Sequence, residues 1–193
     1  MNRPFHGKDP DIRKNSILPG TRFPFFPAFL LAFDPMLHVV LIEPEIPPNT
    51  GNIARLCLAA GARLHLVGPL GFSLDEKSLR RAGMDYWDRC DVRQWGSFAE
   101  LRASDAKARY FFFTTKSRHL YWDERFSDGD HLVFGRETRG LPESLLEENA
   151  GWCRTIPMDA GARSLNLATA AGIVLYEARR QIRAALTGAG SAR

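Results

Sequence analysis

The sequence predicts an α/β fold, a mostly parallel sheet flanked by helices, on three observations. Short apolar runs of strand length alternate along the chain with helical segments, the order that builds parallel sheets from βαβ units. These runs are continuously apolar, as in strands covered on both faces. The chain then ends in a helix with almost no polar face: from Leu165 to Ala178 only Asn166, Thr169, Tyr176 and Glu177 are polar. Such a helix is expected to be buried on more than one side.

The elements follow in order. His38–Ile42 reads as a buried strand, Pro47–Gly51 as a break, and Asn52–Ala60 as a helix ending at Gly61. Arg63–Val67 is the next strand, closed by Gly68-Pro69, and Asp75–Ala82 a short charged helix stopped by Gly83. Ser97 is placed to cap a helix to about Ala103. Tyr110–Thr114 and His131–Phe134 are strands, Pro142 opens a helix to about Glu148, and Arg154–Pro157 is a short strand.

Composition narrows the class. The 193 residues fit one domain with extensions, and 45% hydrophobic content excludes a disordered chain. A net charge of +4 suits an RNA or nucleotide partner without establishing one. Cys57, Cys90 and Cys153 form no C-x-x-C pair and read as reduced thiols of a cytoplasmic protein. The five histidines are scattered, none at metal-ligand spacing, so no metal is expected.

Residues 1–35 stand apart as an N-terminal extension, expected to be weakly ordered. Arg3, Lys8, Arg13, Lys14 and Arg22 precede the apolar run Phe23–Leu31, the layout of an export leader. Pro24 and Pro27 break that run and no small-x-small site follows, so export is not expected. The compact pattern begins at Met36, a second candidate start, and extends to about 186, with 187–193 as a tail. No segment has the length and hydropathy of a membrane span.

Unusual chemistry sits after four strand ends: Ile42, Phe113, Phe134 and Ile156. Ligands of open parallel sheets bind outside the carboxyl ends of the strands, so these loops should share one rim. Arg55 is the only charge in an otherwise apolar helix and shares a face with Asn52. It is either a phosphate or ribose clamp, suited to arginine's planar fork, or a structural partner of a carboxylate. Gly135 at a strand end lets a ligand approach the backbone, and Glu137 lies between Arg136 and Arg139 as a surface ion pair, a loop organiser or a counter-charge to a cationic ligand. Ile156, Ser164 and Asn166 suit an adenine or ribose edge; taken alone, Ser164 is an N-cap. The backbone of Phe113 is a further ligand candidate. No G-x-G-x-x-G follows the first strand, and neither a P-loop nor a G-x-S-x-G elbow with a credible triad is present. Dinucleotide-binding, P-loop and serine-hydrolase readings are demoted accordingly.

Together the loops resemble the SPOUT (SpoU–TrmD) class of RNA methyltransferases. Asn49-x-Gly51-Asn52-x-x-Arg55 is similar to its first motif and Leu132–Gly135-x-Glu137-x-x-Gly140-Leu141-Pro142 to its second. Ile156-Pro157-Met158 with Arg163–Ala168 and Tyr176-Glu177 is similar to the third. Ile42–Asn52 and Leu79–Gly83 look most like the small TrmL-like tRNA ribose methyltransferases, over Met36 to about Ile182. The resemblance implies a carboxy-terminal trefoil knot, S-adenosyl-L-methionine as cofactor, and a homodimer. It implies cofactor contacts at Phe113, Gly135, Ile156 and Ser164, and places Arg55, Asn52, Glu137, Asn166 and Tyr176 around the reacting ribose. The substrate implied is the wobble pyrimidine of the tRNA anticodon loop, with Lys77, Arg80, Arg81, Lys116, Arg118, Arg136 and Arg139 available to phosphates. The family assigns Arg55 as base; holding the phosphate and stabilising a developing alkoxide is the easier role for an arginine. Ribosomal RNA is a second substrate class, and a non-catalytic RNA-binding dimer a reading of another kind.

Overall fold

The computed structural model describes residues 36–74 and 87–190. The extension at 1–35, the expected helix Asp75–Ala82 and the stretch Leu79–Gly83 lie outside the described residues.

Strands β1 (His38–Ile42) and β2 (Arg63–Val67) form where their apolar runs predict them, each buried but for its first residue. β3 (Val92–Trp95) has no counterpart in the sequence reading, because its VRQW lies half-exposed and carries no apolar run. The fully buried β4 (Tyr110–Phe113) and β5 (His131–Phe134) match expectation. β6 is shorter than predicted: it spans Cys153–Arg154, and Thr155 adds only a bridge to Leu120. Pro157 has no N–H to extend the ladder.

Helix α1 (Pro47–Ala60) starts at Pro47 rather than Asn52. Its two prolines occupy first-turn positions, where a missing N–H removes no intrahelical bond. Gly61 closes it in the left-handed region, at φ 64°. α2 (Phe98–Ser104) is capped by Ser97, whose Oγ accepts from Glu100 N at 3.2 Å. α3 (Glu143–Glu148) follows Pro142, and α4 (Leu167–Gly190) runs without a break past 186. The cap of α4 is Asn166, not Ser164. The Asn166 Oδ1 accepts from Ala168 N at 2.9 Å and Thr169 N at 3.3 Å. Both residues suit a cap, and the one bonded at this helix start is Asn166.

The sheet order is β3-β2-β1-β5-β4-β6, every pair parallel. One face packs Val39, Leu41, Leu64, Phe111 and Leu132 against α1 and α4; the other packs Val40, Ile42, Phe112 and Val133 against Leu101 of α2 and Leu146 of α3. Chain leaving β1 therefore turns to one face and chain leaving β5 to the other, while β1 and β5 are neighbours. That is a topological switch point, and the crevice it opens is where ligands bind. Within the chain α4 buries a single stripe, Ala171, Val174, Leu175, Ala178 and Ile182, and leaves Thr169 and Tyr176 exposed. The apolar sequence predicts wider burial than one chain supplies.

The histidines also depart from expectation. His38, His65 and His131, far apart in sequence, meet on one face of the sheet, since register sets His38 beside His131. Trp95 Nε1 lies 2.9 Å from His65 Nδ1, and His65 Nε2 lies 2.9 Å from His38 Nδ1. An indole N–H only donates, so His65 Nδ1 accepts and its Nε2–H donates to His38. His131 Nδ1 donates to Gly129 O at 2.9 Å, and its ring stacks on His38 with planes 8° apart. His65 thus has no lone pair left for a cation, and nearly parallel rings cannot aim theirs at one point. With these bonds the three close on one another as neutral imidazoles. Burial first, then the neighbouring charges, lowers His38 to about 4 and His65 to about 3.

Candidate active site

A cavity of about 500 Å³ opens at the carboxyl ends of the central strands. Its walls come from the loops after β1, β4, β5 and β6 and from Arg163–Leu167. Six of the nine predicted cofactor and ribose residues line it, Phe113, Gly135, Glu137, Ile156, Ser164 and Asn166, as do the phosphate candidates Lys116, Arg136 and Arg139. The loops meet as the strand-end argument requires. Arg55, Asn52 and Tyr176 do not line it; all three are exposed, on α1 and α4, two helices that pack on each other.

Apolar side chains form the base. The Phe113 and Phe134 rings stack with centroids 4.9 Å apart, and Leu141, Ile156 and Leu167 continue the wall. The turn after β5 folds back tightly, with Arg136 and Gly140 exchanging backbone bonds of 3.1 and 2.9 Å. A Cβ on Gly135 would lie 2.2 Å from Gly140 C and 2.3 Å from Leu141 N, so only glycine fits.

The polar rim is a set of interlocked loops. Glu137 accepts from Glu45 N at 2.8 Å, Ile46 N at 3.3 Å and Asn49 Nδ2 at 3.1 Å. Glu45 in return accepts from Thr138 N at 3.1 Å and Thr138 Oγ1 at 2.7 Å. Glu43, whose φ of 50° is unusual for a residue with a side chain, pairs with Arg136. Asn49 Oδ1 then accepts from Asn166 Nδ2 at 2.9 Å. Asn166 therefore caps α4 with its oxygen and ties the cap to α1 with its nitrogen. Asn49, which sequence reasoning placed in a motif but not in the site, is 8% exposed and uses both ends of its amide. Its only sequence signal is the Asn-Thr-Gly-Asn run.

A switch-point crevice with an apolar base, a close-approach glycine and a polar rim defines an α/β protein that binds a small, nucleoside-like ligand. Comparison with known proteins makes the class specific. The profile of the SpoU rRNA methylase family matches residues 36–176. The tRNA (cytidine(34)-2′-O)-methyltransferase of Burkholderia pseudomallei (strain 1106a) is 49% identical over 150 residues, 76% of this chain and 96% of that protein. The protein of the same name from Aeromonas hydrophila is 47% identical over 148 residues, covering 76% and 95%. A solved structure concerned with 2-OH methylation of C/U34 on tRNA is 46% identical with a TM-score of 0.73, over 81% of this chain and 99% of that one. An AdoMet-bound rRNA methyltransferase from Sinorhizobium meliloti is 30% identical with a TM-score of 0.65, over 77% and 57%. The chain belongs to the SpoU family of RNA methyltransferases.

Proposed function

We propose that this protein transfers a methyl group from S-adenosyl-L-methionine to the ribose 2′-hydroxyl of the wobble pyrimidine, nucleotide 34, of tRNA. One observation carries the reading. Phe113, Gly135, Ile156 and Ser164 converge on one cavity, in a chain 49% identical to a relative named for that reaction. The cavity fits the cofactor: its volume lies within the roughly 300–1,000 Å³ of small-ligand sites, and its base is apolar with small polar groups at the rim. When bound, the cofactor supplies an electrophilic methyl on sulfur. The protein aligns that methyl with the hydroxyl and assists loss of the proton.

Phe113, Phe134 and Ile156 hold the adenosyl part by apolar contact and backbone groups. Asn166 and Ser164 border the reacting end. In this reading Arg55, Asn52 and Tyr176, exposed on α1 and α4, complete the ribose site in the cavity of a second copy. A homodimer is supported by the apolar opening stretch of α4, where Leu167, Ala168, Ala170 and Ile173 stay partly exposed and Tyr176 is exposed within one chain. The carboxy-terminal trefoil knot belongs to the same reading. A cytoplasmic location accords with this; among the described residues no helix is long and apolar enough to cross a membrane. Ribosomal RNA ranks second because the rRNA-directed relative is less similar and is spanned over only 57% of its length.

The test incubates the protein and labelled methyl donor with undermodified total RNA and maps the label. Label at the 2′-oxygen of nucleotide 34 is expected; methyl groups on rRNA alone would sink the assignment.

A further inference from the structure

Among the described residues, four cations line the cavity: Lys116, Arg136, Arg139 and Arg163. Two are neutralised within the chain, Lys116 by Glu143 and Arg136 by Glu43. The other nearby carboxylates accept hydrogen bonds from neutral donors and, among the described residues, form no ion pair with either remaining arginine. Glu45 serves Thr138, Glu137 serves Glu45, Ile46 and Asn49, and Asp159 accepts from Gly161 N at 3.2 Å. Among the described residues, Arg139 and Arg163 have no carboxylate partner. Both are exposed, one on the turn after β5 and the other on the segment entering α4. The turn bearing Arg139 is fixed on either side, by the Glu45–Thr138 bonds and the Arg136–Gly140 bridge.

Two guanidiniums with no ion-pair partner at the mouth of a cavity can take an anionic ligand that arrives from outside. S-adenosyl-L-methionine bears one carboxylate against an ammonium and a sulfonium, so binding it adds positive charge rather than removing it. A nucleotide within an RNA strand brings a phosphodiester on each side of its ribose, and arginine's planar fork matches phosphate oxygens in bidentate fashion. We infer that Arg139 and Arg163 form a two-pronged clamp on the phosphodiesters flanking the target nucleotide. This inference rests on the RNA-methylation reading. The clamp seats the ribose over the cavity and leaves the cofactor's own contacts to the apolar base and Ser164.

The test uses the full chain and the variants Arg139→Gln, Arg163→Gln and the two lysine replacements. Donor affinity is measured by calorimetry, and affinity for undermodified tRNA is measured across a salt series. Each glutamine variant is expected to keep wild-type donor affinity and to lower the slope of log K against log salt by about 0.7–0.9. KM for tRNA should rise roughly tenfold, the cost of about one phosphate contact. The lysine variants should restore the slope, which a merely structural role would not do. A donor affinity reduced tenfold with an unchanged salt slope would overturn the clamp and assign the arginines to the cofactor carboxylate. Wild-type slopes in both glutamine variants would also overturn it. If the wild-type enzyme methylates no RNA, the function reading fails instead, and the two failures are distinguishable.

Discussion

Replacing Glu137 separates two roles that the sequence leaves open, contact with the reacting ribose and organisation of the loops. Its carboxylate accepts from Glu45 N at 2.8 Å, Asn49 Nδ2 at 3.1 Å and Ile46 N at 3.3 Å. A hydrogen bond to a charged acceptor contributes about 1.5–3 kcal/mol, and partial exposure puts these at the lower end. Two short bonds give Glu137→Ala a loss of about 3 kcal/mol and Glu137→Gln, which keeps one acceptor, about half that. Asn49 then no longer fixes Asn166, its partner at 2.9 Å, and donor affinity should fall roughly tenfold if half the loss is coupled to binding. Urea denaturation read by circular dichroism gives the stability change, and titration calorimetry gives the affinity. Suppose Glu137→Gln keeps the wild-type midpoint and donor affinity while kcat collapses. The carboxylate then works on the ribose, and the loop-clamp reasoning is wrong.

Three further outcomes are expected. Gly135→Ala should cost about 1–3 kcal/mol and abolish donor binding, since the Cβ meets backbone at 2.2 Å; calorimetry showing wild-type affinity would mean that this turn opens freely. Arg55→Ala should abolish methyl transfer and leave donor affinity intact, and wild-type turnover would remove Arg55 from the mechanism. Acid should destabilise the fold through the imidazoles: unfolded histidines take up protons near pH 6.5, whereas His38 and His65 stay neutral to about 4 and about 3. The unfolded chain then binds more protons, so stability is full above pH 6.5 and falls as pH drops below it. His65→Gln should flatten denaturation free energy between pH 6.5 and 5 by roughly 1 kcal/mol per pH unit; parallel profiles would refute that.

The fold was legible where burial leaves a continuous apolar signature. β1, β2, β4 and β5 bury apolar side chains on both faces of the sheet, so apolar residues dominate their sequences despite His38, His65 and His131. β3 sits at the sheet edge with Arg93 and Gln94 exposed, and an edge strand need not be apolar. Pro47-Pro48 reads as a break in any window, yet a helix tolerates proline in its first turn. Within the site, Gly135, Ile156 and Ser164 were visible because strand ends converge by rule. Two things were not: the use of Asn49 by both Glu137 and Asn166, across sequence separations of 88 and 117, and the meeting of His38, His65 and His131. Metal-ligand spacing rules describe helices and turns, and a parallel sheet joins residues at any separation.

The imidazole trio and the cavity lie toward opposite ends of the same strands. His38 and His131 are the first residues of β1 and β5, and the cavity lies beyond Ile42 and Phe134. At about 3.3 Å per residue, the strands hold the two roughly 10 Å or more apart, a separation beyond which energetic effects add. His65→Gln and Glu137→Gln combined should therefore change stability by the sum of their separate effects. The amino ends of these strands are thus a place where resistance to acid is adjustable with the chemistry at the far rim left alone.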